Sequence, residues 1–315
     1  MKPIVTIFEV IHDSGIEYLA EFADVRFAYG VDRIQCLKMA SESDAIVVKS
    51  VVQVDKELLK NSPHLRVIGR AGTGVDNIDV LEAKKMNIQV LTVPTGNSTS
   101  AAEFTLLQIL LLCRRLPEVI SSINKNDFRR HLLEGRELQN MVVGLVVLGN
   151  VGMLVSKRLE VFGCKVVGWD PYLDDKSEFI SYGGICAESF EQLLSEVDIL
   201  SFHARLSQDN YHMMGRKQFQ KVKDGLLLIN CARANLIDQD ALLESVNNGK
   251  VAMTSLDVLE SEPPFDLHPK EHNYQHQLLK HPRIIITPHI GASTIEAQNR
   301  ISLSLGKQLK KVLLS

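Results

Sequence analysis

Short runs of β-branched and aliphatic residues alternate with amphipathic stretches along most of the chain. In the N-terminal third, the strand-like runs are Ile4–Phe8, Ala45–Val48, Val67–Gly69 and Gln89–Thr92. Helical patterns such as Ile16–Phe22 and Asp55–Leu59 lie between them. Alternating strands and helices are typical of βαβ units, whose strands pair in a parallel sheet. This part of the sequence therefore predicts an α/β lobe.

A longer helical pattern, from about Ser100 to Asn124, interrupts this alternation. Its apolar side carries Ala101, Phe104, Leu107, Leu111 and Leu112. The spacing predicts one long helix. Such a helix would bridge two lobes, build a dimer interface or serve as an ordinary core helix, and the pattern does not distinguish among these roles.

A second strand–helix series follows the long helix. Its predicted strands are Val142–Leu148, Lys165–Trp169, Ile199–Phe202, Leu226–Asn230, Met253–Leu256 and Ile284–Thr287. A last helical pattern runs from Thr294 to Leu313. Because strands that alternate with helices form parallel sheets, the predicted fold class is α/β, with two doubly wound parallel-sheet lobes.

Composition agrees with a globular protein of about two domains, on a prior of roughly 150 residues each. The 315 residues include 35 Lys and Arg against 38 Asp and Glu, a formal net charge of −3. Proteins that bind nucleic acid usually carry a basic excess, so we expect no nucleic-acid partner. Hydrophobic residues make up 45% of the chain, enough for extensive cores.

Cysteine usage and apolar run lengths indicate a cytoplasmic protein. The five cysteines are scattered and include no C-x-x-C pair, which argues against a disulfide framework or zinc ribbon. The N-terminus shows no secretion-signal pattern. The longest apolar run, Leu106–Cys113, contains Gln108 and is too short to span a bilayer. We therefore expect no membrane association.

A glycine-containing turn indicates a dinucleotide site. Gly149-Asn150-Val151-Gly152 follows the predicted strand Val142–Leu148 and opens a helix, and the next strand ends at Asp170 about 20 residues later. A glycine lets the backbone approach a pyrophosphate, and the helix N-terminus offers N–H groups to it. The Asp170 carboxylate would accept hydrogen bonds from ribose hydroxyls and would repel a 2′-phosphate, which favours NAD over NADP.

The glycine pattern departs from the fingerprint at one position. The first glycine of G-x-G-x-x-G would stand at position 147, where this chain has Val147. A β-branched side chain disfavours the positive φ of that turn. We therefore expect either a turn of different shape or a weakened affinity for the cofactor.

Polar clusters follow three later strands, at the edge where open α/β sheets bind ligands. They are Asn230-Cys231-Ala232-Arg233, Leu256–Pro264 and Pro288–Thr294, which together supply a cation, carboxylates and a histidine. With these clusters, and with Gly69–Asn77 and Pro94–Glu103, the chain resembles the D-isomer-specific 2-hydroxyacid dehydrogenases, most closely the D-3-phosphoglycerate dehydrogenase branch. The resemblance covers essentially the whole chain.

The resemblance implies a catalytic role for three residues. His289 would accept the proton of the substrate hydroxyl and return it in the reverse direction, because histidine titrates near neutrality. Glu262 would hydrogen-bond the imidazole and favour its charged form. Arg233 would clamp the substrate carboxylate and polarise the reacting carbonyl.

The resemblance also implies the remaining contacts. NAD would be held by Thr73, Gly149, Asn150, Val151, Gly152, Asp170, Cys231, Ala232, Asp257, His289 and Gly291. Asp257 matches the position that holds the nicotinamide carboxamide. The substrate, a 2-hydroxy or 2-oxo acid, would be held by Lys49, Gly72, Thr73, Gly74 and Arg233. No metal is expected.

The implied layout is discontinuous. Residues 1–97 and 288–315 would form a smaller flavodoxin-like substrate-binding lobe, and a Rossmann-type NAD-binding lobe, residues 98–287, would be inserted in it. A homodimer through the nucleotide lobe is implied, and no regulatory C-terminal domain is expected, because the sequence ends at Ser315.

Some residues depart from the family pattern. Lys49-Ser50-Val51-Val52 replaces an Arg-Ser-x-Thr sequence, so the bidentate guanidinium is lost. His203-Ala204-Arg205 replaces His-Thr-Pro, Ala234 replaces a glycine, and Phe265–Leu278 is longer than usual. His268, His272 and His276 in that segment are expected on an exposed loop rather than at zinc.

These departures leave three functional interpretations. The first is an NAD-dependent dehydrogenase for which 3-phosphoglycerate is the best substrate assignment. The second is a dehydrogenase for an unphosphorylated D-2-hydroxy acid, which Lys49 and Val52 favour. The third is an NAD-responsive binding or regulatory module, which Val147, Ala204 and Ala234 favour.

Overall fold

Twelve strands form two parallel sheets in the computed structural model, which describes residues 2–264 and 267–315. In chain order the strands are β1 (Ile4–Ile7), β2 (Asp24–Phe27), β3 (Ala45–Val48), β4 (Val67–Arg70), β5 (Gln89–Leu91), β6 (Val142–Val146), β7 (Lys165–Trp169), β8 (Ile185–Cys186), β9 (Ile199–Phe202), β10 (Leu226–Asn230), β11 (Val251–Leu256) and β12 (Ile284–Ile286). Every pair of neighbouring strands is parallel. The predicted α/β class is confirmed.

Helices connect these strands. They are α1 (Asp13–Ala20), α2 (Arg33–Ser41), α3 (Lys56–Lys60), α4 (Val80–Lys85), α5 (Ser98–Cys113), α6 (Leu116–Asn124), α7 (Asn150–Glu160), α8 (Ser177–Ser181), α9 (Phe190–Glu196), α10 (Arg216–Lys221), α11 (Gln239–Asn247) and α12 (Ile295–Leu313). Within the described parts of the chain, none of them is long and apolar enough to cross a membrane.

The first compact unit comprises residues 1–98 and 293–315. Its sheet has the order β2-β1-β3-β4-β5, which is the flavodoxin-like order. The last helix, α12, returns to this unit and packs against α1 and β4. A Cβ atom on Gly15 would lie 2.6 Å from Ser302 Cβ, so this glycine permits the close approach of α1 and α12.

The second compact unit comprises residues 99–292. Its sheet has the order β12-β11-β10-β9-β6-β7-β8, which is the Rossmann order with one added edge strand. Two apolar clusters cover its faces, one containing Leu200 and Phe202 and the other Val143 and Leu145, all fully buried. The strand order reverses between β6 and β9, and ligands of such sheets bind at that point.

The boundaries of the two units are close to the predicted division of the chain. The first boundary follows Ser98, where 97 was predicted, and the second follows Ala292, where 287 was predicted. The later second boundary assigns His289 to the unit that contains the seven-stranded sheet. The roles of the two units stay predictions at this stage.

The predicted single helix from Ser100 to Asn124 is wrong, because the structure has two helices there. Arg115 adopts a left-handed conformation, with φ of 51°, and separates α5 from α6. Pro117 has no N–H group to continue the helical ladder. The Cys113 carbonyl accepts instead from the N–H of Arg136, at 2.8 Å.

Two edge strands, β2 and β8, were not predicted. The β2 segment contains two charged residues among four, Asp24 and Arg26, and it lacks the apolar run of a buried strand. The β8 segment has only two residues. Edge strands are short and polar because one side faces solvent, so neither pattern stands out in the sequence.

Candidate active site

His289 and Glu262 are in contact at the carboxyl ends of β11 and β12. His289 Nδ1 lies 2.7 Å from Glu262 Oε1, and both side chains are about one-third exposed. Because an ionised carboxylate only accepts hydrogen bonds, the Nδ1 atom carries the proton. The other ring nitrogen, Nε2, is then the basic one.

The loop that carries His289 is fixed by Asp257, the first residue after β11. Asp257 is 1% exposed. Its Oδ1 accepts from Thr287 Oγ1 at 2.5 Å and from the N–H of Ile290 at 2.9 Å, and its Oδ2 accepts from the N–H of Gly291 at 2.7 Å. These bonds hold His289 at a φ of 55°, in the left-handed region.

Burial has the largest effect on the pKa of Asp257. It raises the pKa of this carboxyl, against the hydrogen bonds from Thr287, Gly291 and Ile290 and the charge of His289. A Cβ atom on Gly291 would lie 3.0 Å from Asp257 Oδ2 and 3.3 Å from Phe104, so the loop packs closely around the carboxylate. The sequence predicted a cofactor contact for Asp257 and did not reveal its contacts with this loop.

Arg233 lies at the end of a turn that Asn230 organises after β10. The buried Asn230 side chain accepts from the N–H of Ala232 at 3.0 Å and donates to the Arg233 carbonyl at 2.8 Å. Arg233 Nη1 donates to the Ala232 carbonyl at 2.7 Å. Ala234 begins a short 3₁₀ helix, a conformation that alanine adopts without strain, so this departure from glycine leaves the turn intact.

The glycine-containing turn has the shape of a pyrophosphate cradle. Gly149 caps α7, and a Cβ atom there would meet nothing within 4 Å. A Cβ atom on Gly152 would lie 2.4 Å from the Val147 carbonyl oxygen, which leaves room only for glycine. The Asp170 carboxylate sits over the turn, accepting from the N–H of Leu148 and of Tyr172, each at 2.9 Å. These residues fit a dinucleotide at the N-terminus of α7.

Val147 adopts the conformation that its side chain was expected to prevent. Its φ is 73°, so the turn keeps its ordinary shape. Of the two expected consequences, a turn of different shape is therefore wrong, and a weakened affinity for the cofactor stays a prediction. The side chain packs against the core beneath the sheet, and that packing together with the bond from its N–H to the Trp169 carbonyl, at 2.8 Å, offsets the strain.

We expect the free energy of unfolding of Val147→Gly to exceed that of Val147→Ala by about 0.5–1 kcal/mol. Both variants lose the packing of the isopropyl group, but only glycine relieves the strain of the left-handed conformation, which costs about 1–2 kcal/mol. The greater backbone entropy that glycine loses on folding cancels about half of this gain. Urea unfolding of the two variants measures the difference. An alanine variant as stable as the glycine variant would show that this φ carries no strain.

The structure adds the surroundings of two residues at strand ends, His203 and the predicted cofactor contact Cys231. His203, at the end of β9, has a buried Nε2 atom without a hydrogen-bond partner in the described structure. Burial lowers the pKa of His203 to about 4, so the ring is neutral at pH 7. The Cys231 thiol, at the end of β10, has its pKa raised by burial and by Asp257, so it stays protonated and unreactive.

A second imidazole–carboxylate pair lies close in sequence to the first. His212 Nε2 is 2.8 Å from Glu260 Oε1, and the His212 ring stacks on Tyr211 with centroids 4.0 Å apart. The pair belongs to the loop after β9 and the segment after β11. It resembles the Glu262–His289 pair in distance, which makes it a useful internal comparison.

In the first unit, the predicted substrate residues Gly72, Thr73 and Gly74 lie on the loop after β4. Gly72 has a φ of 155°, and a Cβ atom there would overlap Nη1 of Arg70 at 1.6 Å. Thr73 Oγ1 donates to Asn97 Oδ1 at 3.2 Å. The loop is therefore built around the guanidinium of Arg70.

Lys49 lies on a loop that one carboxylate organises. Glu9 follows β1, and its carboxylate accepts from the N–H groups of Lys49, Ser50, Val51 and Val52 at 2.7–3.1 Å. Glu9 is not among the site residues predicted from the sequence. Its position after β1 was the available signal, because β1 and β3 are neighbours and their carboxyl ends meet at one sheet edge.

Comparison with known proteins identifies the family. Residues 106–291 match the model for "D-isomer specific 2-hydroxyacid dehydrogenase, NAD binding domain". This stretch contains the glycine turn, Asp170, Arg233, Glu262 and His289. Its extent agrees with the second compact unit, which begins at Thr99 and ends at Ala292.

Relatives with assigned names support the same family. A D-3-phosphoglycerate dehydrogenase of Methanocaldococcus jannaschii is 35% identical over 313 residues, which cover 99% of this chain and 57% of the relative. A hydroxypyruvate reductase of Thermotoga maritima is 34% identical over 283 residues, covering 90% of this chain and 89% of the relative. The chain thus spans little more than half the length of the phosphoglycerate dehydrogenase.

The fold agrees with a solved structure of D-lactate dehydrogenase from Aquifex aeolicus, determined with NAD and lactic acid. The TM-score is 0.87 at 28% identity, with 97% of this chain and 94% of that chain covered. The cofactor of the matched domain is NAD. On these grounds, the chain belongs to the D-isomer-specific 2-hydroxyacid dehydrogenase family.

Proposed function

We propose that this protein interconverts a D-2-hydroxy acid and its 2-oxo acid with NAD. The observation that carries the proposal is the Glu262–His289 contact, on a loop that Asp257 holds in a left-handed conformation. A positive φ at a histidine is uncommon. It is maintained here by several hydrogen bonds, as expected where backbone strain serves an active site.

In the proposed reaction, His289 Nε2 accepts the proton of the substrate hydroxyl. Glu262 keeps the Nδ1 proton in place and stabilises the imidazolium that forms. Arg233 binds the substrate carboxylate through its planar pair of donors and stabilises negative charge on the C2 oxygen. NAD supplies the hydride acceptor, and hydride is returned from NADH in the opposite direction.

Cofactor binding is assigned to the second unit. The cradle of Gly149, Asn150, Val151 and Gly152 would hold the pyrophosphate, and Asp170 the adenosine ribose. The proposed contacts beyond β10 and β11 are Cys231, Ala232, Asp257, His289 and Gly291. The first unit would bind the substrate through Lys49, Gly72, Thr73 and Gly74, and Thr73 would also contact the cofactor.

The best substrate assignment is 3-phosphoglycerate, which the names of several relatives support. One observation favours an unphosphorylated acid instead. The four N–H groups of residues 49–52, which form a suitable anion site, already donate to Glu9. A phosphate would then depend on side chains such as Lys49.

A substrate panel distinguishes these assignments. We expect NADH oxidation with 3-phosphohydroxypyruvate to show a higher kcat/KM than with hydroxypyruvate, and Lys49→Gln to lower only the former, by about tenfold for one lost charged contact. Higher kcat/KM with hydroxypyruvate, unaffected by Lys49→Gln, would assign an unphosphorylated acid. Saturable NADH binding without turnover on any 2-oxo acid would favour a binding or regulatory module.

We also propose that the protein forms a homodimer through the second unit, in the cytoplasm. Apolar side chains that are 41–67% exposed cluster along α5, α6 and the segment after them: Leu107, Leu116, Ile120, Ile123, Phe128 and Leu132. A groove of about 420 Å³ runs beside Ile120. Exposed apolar patches of this kind support association. All five cysteines are free thiols, which supports a reducing compartment.

Ile120→Glu is expected to convert the dimer to a monomer, because it places a charge in the apolar patch. Sedimentation equilibrium measures the mass directly. Ile34→Glu is the matched control, since Ile34 is the one large apolar residue of α2 that is exposed, at 79%. A wild-type monomer, or equal dissociation of both variants, would contradict the proposed interface.

A further inference from the structure

A cavity of about 240 Å³ lies beside the Glu262–His289 pair, within the second unit. Glu262 and His289 line it together with Asp257, Thr287 and Tyr274, and the other lining residues are leucine, isoleucine and proline. A site needs about 30 Å³ and several polar partners for each water molecule. The volume of the cavity is large enough for water, and five of its lining residues carry polar side-chain atoms.

The hydroxyl of Tyr274 differs from the other polar groups of this lining in its hydrogen bonding. Its oxygen is buried and has no hydrogen-bond partner in the part of the chain that the structure describes. Burial, together with the negative charge of Glu262, raises the pKa of Tyr274, so the phenol stays protonated and can donate. A buried hydroxyl without a partner is unfavourable, which indicates that it meets a further group.

The chain around Tyr274 fixes the direction of its ring. The N–H of Tyr274 donates to His272 Nδ1 at 3.2 Å. The Tyr274 ring stacks on His276, with centroids 6.3 Å apart and planes inclined by 13°. The N–H of Leu278 in turn donates to His276 Nδ1, at 3.3 Å. These contacts hold the ring against the cavity, although the segment is a loop without regular secondary structure.

We propose that Tyr274 is a positioning residue for the reaction, and that water held in the cavity links its hydroxyl to the carboxylate of Glu262. The inference rests on the proposed dehydrogenase function. Glu262 accepts from His289 at one oxygen, and a carboxylate has about four acceptor sites. A second donor restricts the rotation of the carboxylate and disperses its charge, as outer hydrogen bonds do around other functional histidines.

The link sets the proton affinity of His289. Without the donor, the negative charge of Glu262 is less dispersed and attracts the imidazolium more strongly. We expect Tyr274→Phe to raise the pKa of His289 by about 0.5 unit, a threefold change in proton affinity. Oxidation of the hydroxy acid needs neutral His289, so the low-pH limb of kcat/KM moves to higher pH by the same amount.

Other titratable groups lie around the cavity or the Tyr274 ring, and Tyr274→Phe leaves these residues in place. Asp257 lines the cavity, His276 stacks on the Tyr274 ring, and His272 accepts from its backbone. Glu260 acts on His276, whose pKa is lowered mainly by burial. A measurement that resolves each histidine separately is therefore required.

The experiment is an NMR titration of the full chain carrying ¹³C-labelled histidine. The His289 signal is identified by its loss in His289→Gln, and its pKa is measured in wild type, Tyr274→Phe and Tyr211→Phe. Tyr211 is the control, because it stacks on the other imidazole–carboxylate pair and is 54% exposed. The expected result is a shift in Tyr274→Phe alone. No shift there, or an equal shift in Tyr211→Phe, overturns the proposal.

A second variant covers the case in which Tyr274→Phe does not fold. Leu279→Trp would fill the cavity and displace its water while keeping the hydroxyl, and the same shift in the pKa of His289 is expected. The NMR readout needs no turnover. If the pKa of His289 is unshifted in the variants and the protein turns over a 2-oxo acid normally, only the role of Tyr274 is overturned. If the pKa of His289 shifts but the protein turns over no 2-oxo acid, the proposed reaction is overturned, and the role of Tyr274 in it is overturned as well.

Discussion

His289→Ala is expected to lower kcat by about two to four orders of magnitude, the contribution that one general acid–base group usually makes. NADH should still bind and lose only the one proposed contact of His289, because the pyrophosphate cradle and Asp170 lie elsewhere in the second unit. Stopped-flow or steady-state NADH oxidation with the best 2-oxo acid measures kcat, and calorimetry measures NADH binding.

The second imidazole–carboxylate pair provides the control for this variant. His212→Ala removes a contact of 2.8 Å with Glu260 that resembles the His289–Glu262 contact of 2.7 Å. We expect near-normal kcat in His212→Ala. If His289→Ala retained more than about a tenth of the wild-type turnover, general acid–base catalysis by His289 would be excluded.

Arg233 is expected to have the second largest effect. Arg233→Ala should lower kcat/KM for the 2-oxo acid by about 10²–10³, the usual effect of removing one donor that stabilises developing charge. Arg233→Lys should recover only part of this loss, because an ammonium group keeps the charge but lacks the planar pair of donors. The part of kcat/KM that lysine recovers measures the effect of the positive charge, and the part that it does not recover measures the effect of the paired hydrogen bonds to the substrate carboxylate.

Arg216→Ala is the matched control for the arginine variants. Arg216 lies at the start of α10 and pairs with Glu244 at 2.9 Å, with both side chains about 60% exposed. Exposed ion pairs of this type contribute about 0–1 kcal/mol to stability, so no change in kcat/KM is expected. Equal losses in Arg216→Ala and Arg233→Ala would mean that net charge, rather than a specific contact, affects the substrate.

Several features of the fold were predictable because they depend on neighbours in sequence. The strands Ala45–Val48, Lys165–Trp169, Ile199–Phe202 and Leu226–Asn230 have the predicted bounds, because buried parallel strands are continuous apolar runs. The break after α5 was also visible in principle, since Pro117 cannot continue a helix. The apolar periodicity on both sides of it obscured that signal.

The candidate site was predictable only to the level of single residues. The strand ends located Arg233, Glu262 and His289 on one sheet edge, and the family resemblance supplied their roles. The contact between Glu262 and His289, and the bonds from Asp257 to residues 287, 290 and 291, join segments that are distant in sequence. Such contacts depend on loop conformations that no local propensity determines.

By itself, the sequence determined the two α/β lobes, the glycine turn with Asp170, and the identity of the chemical groups at the strand ends. These depend on periodicity, on glycine and on residue type, which are local properties. Only the tertiary structure decided that Val147 retains the left-handed turn, that Glu9 occupies the amides of residues 49–52, and that Tyr274 faces the cavity beside Glu262. Each depends on packing between distant segments, because only such packing offsets backbone strain or the burial of a polar group.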